Sequence, residues 1–199
     1  MADTRLLEQL ERSRALGFLG PGPIEDHIAH AGGFLTALVG VTGRVIDLGS
    51  GGGIPGLVIA VARPDLEVVL VEAAAKRCRF LESAVLALAL STTVVEGRAE
   101  VVGRGALRGS AAAVVARSFG TPAVTAECAA PLLRVGGRLI VSEPPEDVER
   151  WPVEPLGQLG LTPSLRTDGV PAMQVLEQTS PCPDRFPRRD GKPAKRPLF

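Results

Sequence analysis

The chain has 199 residues, of which 45% are hydrophobic and 22% are charged, and its formal net charge is zero. This length fits one domain with a sizeable core, and the composition is that of a globular protein. No apolar run is long enough to span a bilayer, and the charged N-terminus lacks the apolar core of a signal peptide, so we expect a cytoplasmic protein without a membrane partner. With no net charge, any attraction to nucleic acid must come from a local basic patch.

Residues 1–40 predict a helical segment that packs on the main domain. Leucines recur among charged residues over 4–19, as in an amphipathic helix, and the sequence "GPGP" at 20–23 separates it from a second helix over 24–40. His27 and His30 would share one face of that second helix. Since no carboxylate or cysteine completes a set of metal ligands, we assign both histidines a structural role and expect no metal.

Residues 44–62 are the most informative stretch. An apolar run ends in Asp47, four glycines follow within five residues, and Pro55 opens another apolar segment. This order predicts a strand, a glycine loop and a helix. Such a loop lets a cofactor lie against backbone amides at the N-terminus of a helix.

Two glycine patterns overlap in this loop and indicate different cofactors. The pattern D-x-G-x-G-x-G is typical of S-adenosylmethionine-dependent methyltransferases, whereas G-x-G-x-x-G is the dinucleotide fingerprint. The first is formed by Asp47, Gly49, Gly51 and Gly53, and the second by Gly51, Gly53 and Gly56. Asp47 favours the methyltransferase pattern, because its carboxylate would meet the cationic amino group of methionine, while a pyrophosphate would meet like charge.

After the loop, strands and helices alternate along the chain. The strands are predicted at 67–72, 92–97, 111–119 and 137–143, and the longer helices at 74–90 and 122–134. Apolar strands separated by helices predict a parallel sheet covered on both faces. Further strands at 161–167 and 172–178 would pair as an antiparallel C-terminal edge hairpin. The expected fold class is α/β, a Rossmann-like class I S-adenosylmethionine-dependent methyltransferase fold over residues 41–180.

Two acidic positions near strand ends fit a nucleoside. Glu72 closes the second strand and has the spacing of an acceptor for ribose hydroxyls, which both candidate cofactors carry. Ala99 and Glu100 follow the third strand at the carboxyl edge of the sheet, where ligands bind in doubly wound folds. We expect the Ala99 amide and the Glu100 region to read an adenine edge.

Five motifs stand in the same order as in one known family. They are "DLGSGGGIPG", "KRCRFLE", "GRAE", "VVARS" and the tail "FPRRDGKPAKRPL". Together they resemble the glucose-inhibited division protein B family, ribosomal RNA small subunit methyltransferase G, which makes 7-methylguanosine in 16S ribosomal RNA. The likeness runs from Val45 to about Val141 and resumes in the tail.

The resemblance implies which residues hold the methyl donor, S-adenosyl-L-methionine. They are Gly49, Gly51 and Ile54 in the loop, Ala99 and Glu100 after the third strand, and Arg117 after the fourth. Arg117 is expected to position the donor or the guanine. The N7 atom of guanine already offers a lone pair, so its methylation removes no proton and requires alignment rather than a general base.

The C-terminal residues 181–199 predict an extended basic arm that binds ribosomal RNA or the small ribosomal subunit. Its cations are Arg185, Arg188, Arg189, Lys192, Lys195 and Arg196. Proline and glycine interrupt them, and a segment without helical or strand periodicity can follow a phosphate backbone. A terminus that serves only solubility is the alternative.

Three departures from the family concern the acceptor rather than the donor. Family members usually carry a lysine and a glycine after the fifth strand, where this chain has Ser142, Glu143 and Pro144, so that an anion replaces a cation. The family pattern "H-x-x-D-S" here reads "HIAHA", beginning at His27, and an arginine expected near the last strands is absent.

The sequence thus leaves three hypotheses open. The first is a methyltransferase that modifies a guanine of ribosomal RNA. The second is a diverged paralogue that keeps the donor but has a different acceptor, such as a small molecule or another RNA, or little activity. The third is a nicotinamide enzyme, and Asp47 is the feature against it.

Overall fold

The computed structural model of the protein describes residues 3–144, 149–167 and 171–199. Its strands are β1 (Arg44–Leu48), β2 (Glu67–Glu72), β3 (Thr93–Glu96), β4 (Ala111–Ala116), β5 (Leu133–Glu143), β6 (Leu161–Arg166) and β7 (Ala172–Gln178). Its helices are α1 (Thr4–Ala15), α2 (Ile24–Ala37), α3 (Gly56–Ala62), α4 (Ala75–Ala87), α5 (Ala99–Val102), α6 (Pro122–Ala129), α7 (Val153–Gly157) and α8 (Lys192–Lys195).

The seven strands form one sheet in the order β3-β2-β1-β4-β5-β7-β6. Strands β1 to β5 pair in parallel, whereas β7 pairs antiparallel to both β5 and β6. The predicted fold class, including the antiparallel edge hairpin, is confirmed. Because the strand order reverses between β1 and β4, the carboxyl ends of these two strands flank a crevice, the usual ligand position in open α/β sheets.

The fifth strand begins earlier than predicted. The sequence predicted a helix to residue 134, but α6 ends at Ala129, and a 3₁₀ turn over Ala130–Leu132 leads directly into β5. Pro131 lies in this turn and has no backbone N–H to continue an α-helix. The first residues of β5 pair irregularly with β4, because the register shifts between Ala111 and Ala113.

The N-terminal helices are part of the sheet's own core. Leu6 and Leu10 of α1 and Phe34 of α2 are buried in one hydrophobic cluster with Val45 and Leu57. A second cluster covers the other face of the sheet. Both faces are therefore closed by apolar side chains, as expected of a parallel sheet.

The C-terminal segment is folded against the domain, which corrects the expectation of an extended arm. Phe186 and Pro193 are buried, and α8 forms a helical turn within the segment. Arg188 donates to buried Glu127 of α6 through its Nε, Nη2 and backbone N–H at 2.8, 2.6 and 2.8 Å. The Arg188 guanidinium is thus engaged inside the protein, so the structure does not favour it as an RNA ligand.

Three further features bear on the possible functions of the protein. Within the described ranges, no helix is long and apolar enough to cross a membrane. Over the same residues, no three His, Cys, Asp or Glu side chains are grouped so as to hold a metal ion. Cys78, Cys128 and Cys182 are free thiols.

Candidate functional site

Three adjoining cavities follow the carboxyl edge of the sheet. The loop cavity, about 330 Å³, lies over the glycine loop and is lined by Gly49, Ile54, Arg77 and Arg117 among others. The central cavity, about 200 Å³, is lined by Glu72 and Ala99 and shares Gly49 and Arg77 with the loop cavity. The outer cavity, about 280 Å³, lies toward β5 and shares Ser118 and Phe119 with the central one. One ligand can therefore extend from the loop cavity into the central cavity and meet a second ligand in the outer one.

The glycine loop has the conformation that the sequence predicts. Gly49 and Gly53 have φ angles of 76° and 95°, in the region that side chains disfavour. A Cβ on Gly49 would lie 2.6 Å from the Phe119 ring, and one on Gly53 would lie 2.5 Å from Leu57. These positions therefore require glycine, and the bare backbone of Gly49, Gly51 and Gly52 lines the loop cavity.

Glu72 ties the glycine loop to the second strand. Its carboxylate accepts hydrogen bonds from the backbone N–H groups of Gly51 and Ala74 at 2.9 and 2.8 Å. Only 7% of the side chain is exposed, yet Glu72 lines the central cavity. The carboxylate is thus held where a ligand can reach it, and its predicted role as a ribose acceptor stays a prediction.

Asp47 does not occupy the position that the sequence interpretation gave it. Its side chain is buried, and Oδ2 accepts a hydrogen bond from the N–H of Gly56 at 3.0 Å, while Oδ1 has no hydrogen-bond partner within the described part of the chain. A Cβ on Gly56 would lie 2.4 Å from Oδ2, so the carboxylate packs directly against the start of α3. Asp47 therefore supports the loop from beneath, and a direct contact with a methionine amino group is not the geometry found.

Replacing Asp47 by asparagine should change how the stability of the protein depends on pH. Burial raises the pKa of Asp47 from 3.8 to about 7. The folded state therefore holds this proton more tightly than the unfolded chain, and the protein loses stability as the pH rises through this interval. Between pH 5 and pH 8 we expect the wild type to lose about 2–3 kcal/mol relative to Asp47→Asn. Urea unfolding at both pH values measures this difference, and an equal change in the two proteins would contradict it.

Arg117 is brought to the site by β4, which ends one residue before it. Its Nη2 lies 2.8 Å from Nδ1 of His27 in α2, and its Nη1 is buried and finds no hydrogen-bond partner among the residues that the structure describes. Burial lowers the pKa of the guanidinium, and the charge of Asp47 opposes this effect. A partly desolvated cation with an unpartnered N–H beside the glycine loop is suited to bind a carboxylate.

Ala99 and Glu100 have different surroundings. Ala99 lines the central cavity at the start of α5, and its predicted contact with an adenine edge stays a prediction. The buried Glu100 side chain instead faces the C-terminal segment, where its Oε1 accepts hydrogen bonds from the Gly191 N–H at 2.9 Å and from Arg98 at 3.4 Å. The Glu100 carboxylate therefore binds within the protein. A contact between a ligand and the Glu100 region would have to be made by the backbone.

The N-terminal segment contributes to the site, which the sequence did not reveal. Phe18, Leu19 and Gly20 line the loop cavity. Ser13 of α1 is buried and donates a hydrogen bond to the carbonyl of Gly52 at 2.9 Å. No local pattern marks these residues as ligand-facing, because their position depends on how α1 docks against a loop some forty residues later in the chain.

Glu143 does not present a free anion to the outer cavity, contrary to the expectation from its sequence position. Its side chain is 1% exposed and accepts hydrogen bonds from Arg150 at 2.9 Å and from the Trp151 indole N–H at 3.1 Å. A second guanidinium, that of Arg166, lies 3.9 Å away. The negative charge is thus compensated within the protein, and Arg150 provides a cation at the same cavity.

Comparisons with known proteins extend over most of the chain. A family model described as "GidB: rRNA small subunit methyltransferase G" matches residues 25–145. The protein of Rubrobacter xylanophilus named "Ribosomal RNA small subunit methyltransferase G" is 35% identical, covering 97% of this chain and 80% of its own. Proteins of the same name from Syntrophomonas wolfei and Symbiobacterium thermophilum are 34% and 38% identical, covering 89% and 88% of this chain and 87% and 78% of their own. The similarity thus spans more than the glycine loop.

Solved structures share the fold at much lower identity. The antibiotic-resistance methyltransferase Kmr has a TM-score of 0.51 at 18% identity, covering 73% of this chain and 91% of its own. A branched-chain polyamine synthase variant of Thermus thermophilus has a TM-score of 0.59 at 16% identity, covering 87% and 64%. Because the names of these two proteins denote different reactions, the fold alone does not decide the reaction.

Proposed function

Since the chain belongs to the family of ribosomal RNA small subunit methyltransferase G, we propose that it transfers a methyl group from S-adenosylmethionine to N7 of a guanine in 16S ribosomal RNA. The donor assignment rests on two opposite charges, one at the loop cavity and one at the central cavity. Arg117 lines the loop cavity and has a buried N–H without a hydrogen-bond partner among the described residues, and Glu72 offers a carboxylate in the central cavity. These groups suit the carboxylate and the ribose hydroxyls of this donor, respectively.

The glycine loop is ill suited to a dinucleotide because its backbone N–H groups are already hydrogen-bonded. This reason does not depend on a contact between Asp47 and the ligand. Phosphate-binding loops need free backbone N–H groups. Here the N–H of Gly51 donates to Glu72, that of Gly53 donates to the Ser50 carbonyl, and that of Gly56 donates to Asp47. A pyrophosphate would therefore meet occupied amides and the carboxylate of Glu72, which argues against the nicotinamide hypothesis.

The chemistry requires little from the protein besides alignment. The bound donor supplies an electrophilic methyl group on a sulfonium, and guanine N7 supplies a lone pair without losing a proton. Arg117, held by His27, and Glu72, held by the loop amides, keep their orientation without the ligand. The outer cavity, which adjoins the central one at Ser118 and Phe119, is where we place the guanine. Preorganised alignment of this kind lowers a barrier without a general base.

The exposed face of the C-terminal segment is the proposed RNA-binding surface. Five of the six predicted cations are exposed there: Arg185, Arg189, Lys192, Lys195 and Arg196. Four of them surround a shallow pocket of about 310 Å³ together with Asp190. A cluster of this kind neutralises phosphates, so RNA binding should weaken steeply with salt.

We expect purified protein to bind S-adenosylmethionine but not NAD in calorimetry. Expression of the protein in bacteria that lack their own enzyme of this family should restore 7-methylguanosine in 16S ribosomal RNA, as measured by mass spectrometry of its nucleosides. The Arg117→Gln variant is the matched control and should restore none. Binding of the donor without any restored methylation would contradict the ribosomal acceptor and favour the second hypothesis, while binding of NAD in preference to the donor would overturn the assignment of the site.

A further inference from the structure

His27 is buried beside the guanidinium that faces the loop cavity. Its Nδ1 lies 2.8 Å from Nη2 of Arg117, and its Nε2 lies 3.2 Å from the carbonyl oxygen of Gly20. His27 belongs to α2, one of the two N-terminal helices that pack against the sheet. The imidazole therefore connects the residue that follows β4 with the segment between α1 and α2, and both border the loop cavity.

The two partners of His27 define its tautomer. A carbonyl oxygen can only accept a hydrogen bond, so Nε2 must carry the proton that Gly20 receives. An arginine can only donate, so Nδ1 must be the unprotonated nitrogen that accepts from Arg117. His27 is then neutral and satisfied at both nitrogens, which explains how a buried imidazole lies next to a cation.

We propose that His27 is a positioning residue that fixes the Arg117 guanidinium for the carboxylate of the methyl donor. The inference rests on the proposed function, because it takes S-adenosylmethionine as the ligand of the loop cavity. Nη2 is held by His27, Nη1 has no hydrogen-bond partner among the described residues, and Arg117 lines the loop cavity, so the guanidinium keeps N–H donors for a ligand there. An arginine held by a neutral acceptor keeps its full charge for the ligand, whereas a carboxylate in place of His27 would neutralise it.

The other titratable groups near this contact do not accept the hydrogen bond from Arg117. Asp47 is close enough to affect the pKa of Arg117, but the hydrogen bond found for its carboxylate is to the N–H of Gly56. His30 lies one turn along α2, and burial together with the charge of Arg117 lowers its pKa. The Nε2 atom of His30 is buried and has no hydrogen-bond partner among the described residues. The hydrogen bond from Arg117 therefore goes to His27 rather than to either of these groups.

Two substitutions separate the two hydrogen bonds of the imidazole. In His27→Asn the amide oxygen takes the place of Nδ1 and accepts from Arg117, but the side chain does not reach Gly20. In His27→Gln the amide group takes the place of Nε2 and still reaches Gly20, but no acceptor is left at the Nδ1 position. We expect calorimetry to show about 10-fold weaker binding of S-adenosylmethionine to the Gln variant and less than a 3-fold change for the Asn variant, since a hydrogen bond to a charged group contributes about this much.

A donor without the carboxylate tests whether the effect passes through Arg117. Decarboxylated S-adenosylmethionine should bind the wild type and His27→Gln with equal affinity, whereas a merely structural role of His27 would weaken both ligands. Nitrogen-15 NMR of the wild-type imidazole, which depends on neither variant, should show a proton on Nε2 and none on Nδ1. Equal affinity of the wild type and His27→Gln for the intact donor, or a proton on Nδ1, would overturn the inference. If the wild type bound no donor at all, the proposed function would fail instead.

Discussion

Replacing Arg117 by glutamine should weaken the binding of S-adenosylmethionine by about 30-fold or more, because a buried charge pair that loses one partner loses at least about 2 kcal/mol. The guanidinium is half-buried and held by His27, and one of its N–H groups has no partner among the described residues, which leaves it for the expected ligand. Glutamine keeps a hydrogen-bond donor but removes the charge and the fork of the guanidinium. Isothermal calorimetry of the purified proteins measures the loss.

Arg77 provides a matched control for this substitution. It lines the same loop and central cavities, but 43% of its side chain is exposed, and its ion pair with Glu72 is long at 3.9 Å. Exposed pairs contribute about 1 kcal/mol or less, so Arg77→Gln should weaken donor binding by no more than about 5-fold. Arg117→Lys, which keeps the charge without the planar fork, should lie between the two. Equal losses at Arg77 and Arg117 would mean that the loop cavity attracts the donor by general charge only.

The parts of the fold that local sequence patterns determine were predictable. Continuous apolar runs marked the parallel strands, because such strands are covered on both faces, and the glycine loop marked the crevice, because glycine adopts left-handed backbone without strain. The start of β5 was not predictable from periodicity, since the irregular pairing of Leu133 depends on a register shift opposite Ala111.

The orientation of acidic side chains was the part that sequence patterns could not give. Asp47, Glu72 and Glu100 all follow or close strands at the carboxyl edge, and all three were expected to face the ligand. In the structure only Glu72 lines a ligand cavity, while Asp47 binds the start of α3 and Glu100 binds the C-terminal segment. The end of a strand determines where the backbone of an acidic residue lies. Which groups bind its carboxylate depends on other parts of the chain.

The same limit applies to His27. Its place on α2 suggested only a structural histidine, because its partner Arg117 lies 90 residues away in sequence. His27 meets Arg117 only in the folded protein, where its side chain lies beside the residue that follows β4. Residues that orient a binding group are, for this reason, harder to find from sequence than the binding group itself.

Loss of Arg188 should detach the C-terminal segment and thereby reduce RNA binding, although Arg188 itself need not contact RNA. Glu127 is fully buried, with 0% of its side chain exposed, and accepts three hydrogen bonds from Arg188. Removing one partner of a buried pair leaves an uncompensated charge, so Arg188→Gln should lower the free energy of unfolding by about 3 kcal/mol. Deleting the whole segment is a poorer test, because it would also uncover Phe186 and the carboxylate of Glu100.

Two control variants separate the attachment of the segment from its charge. Lys192→Gln combined with Lys195→Gln removes two exposed cations, so it should lower RNA affinity and reduce the salt slope by about 1.4 for single-stranded RNA while leaving stability within about 0.5 kcal/mol. Arg188→Gln combined with Glu127→Gln removes both charges of the buried pair and should recover most of the lost stability. Urea unfolding and RNA binding at several salt concentrations measure both effects. If Arg188→Gln lowered stability but left RNA affinity unchanged, the position of the segment would not matter for RNA binding; if the lysine pair had no effect, the exposed face would not be the RNA surface.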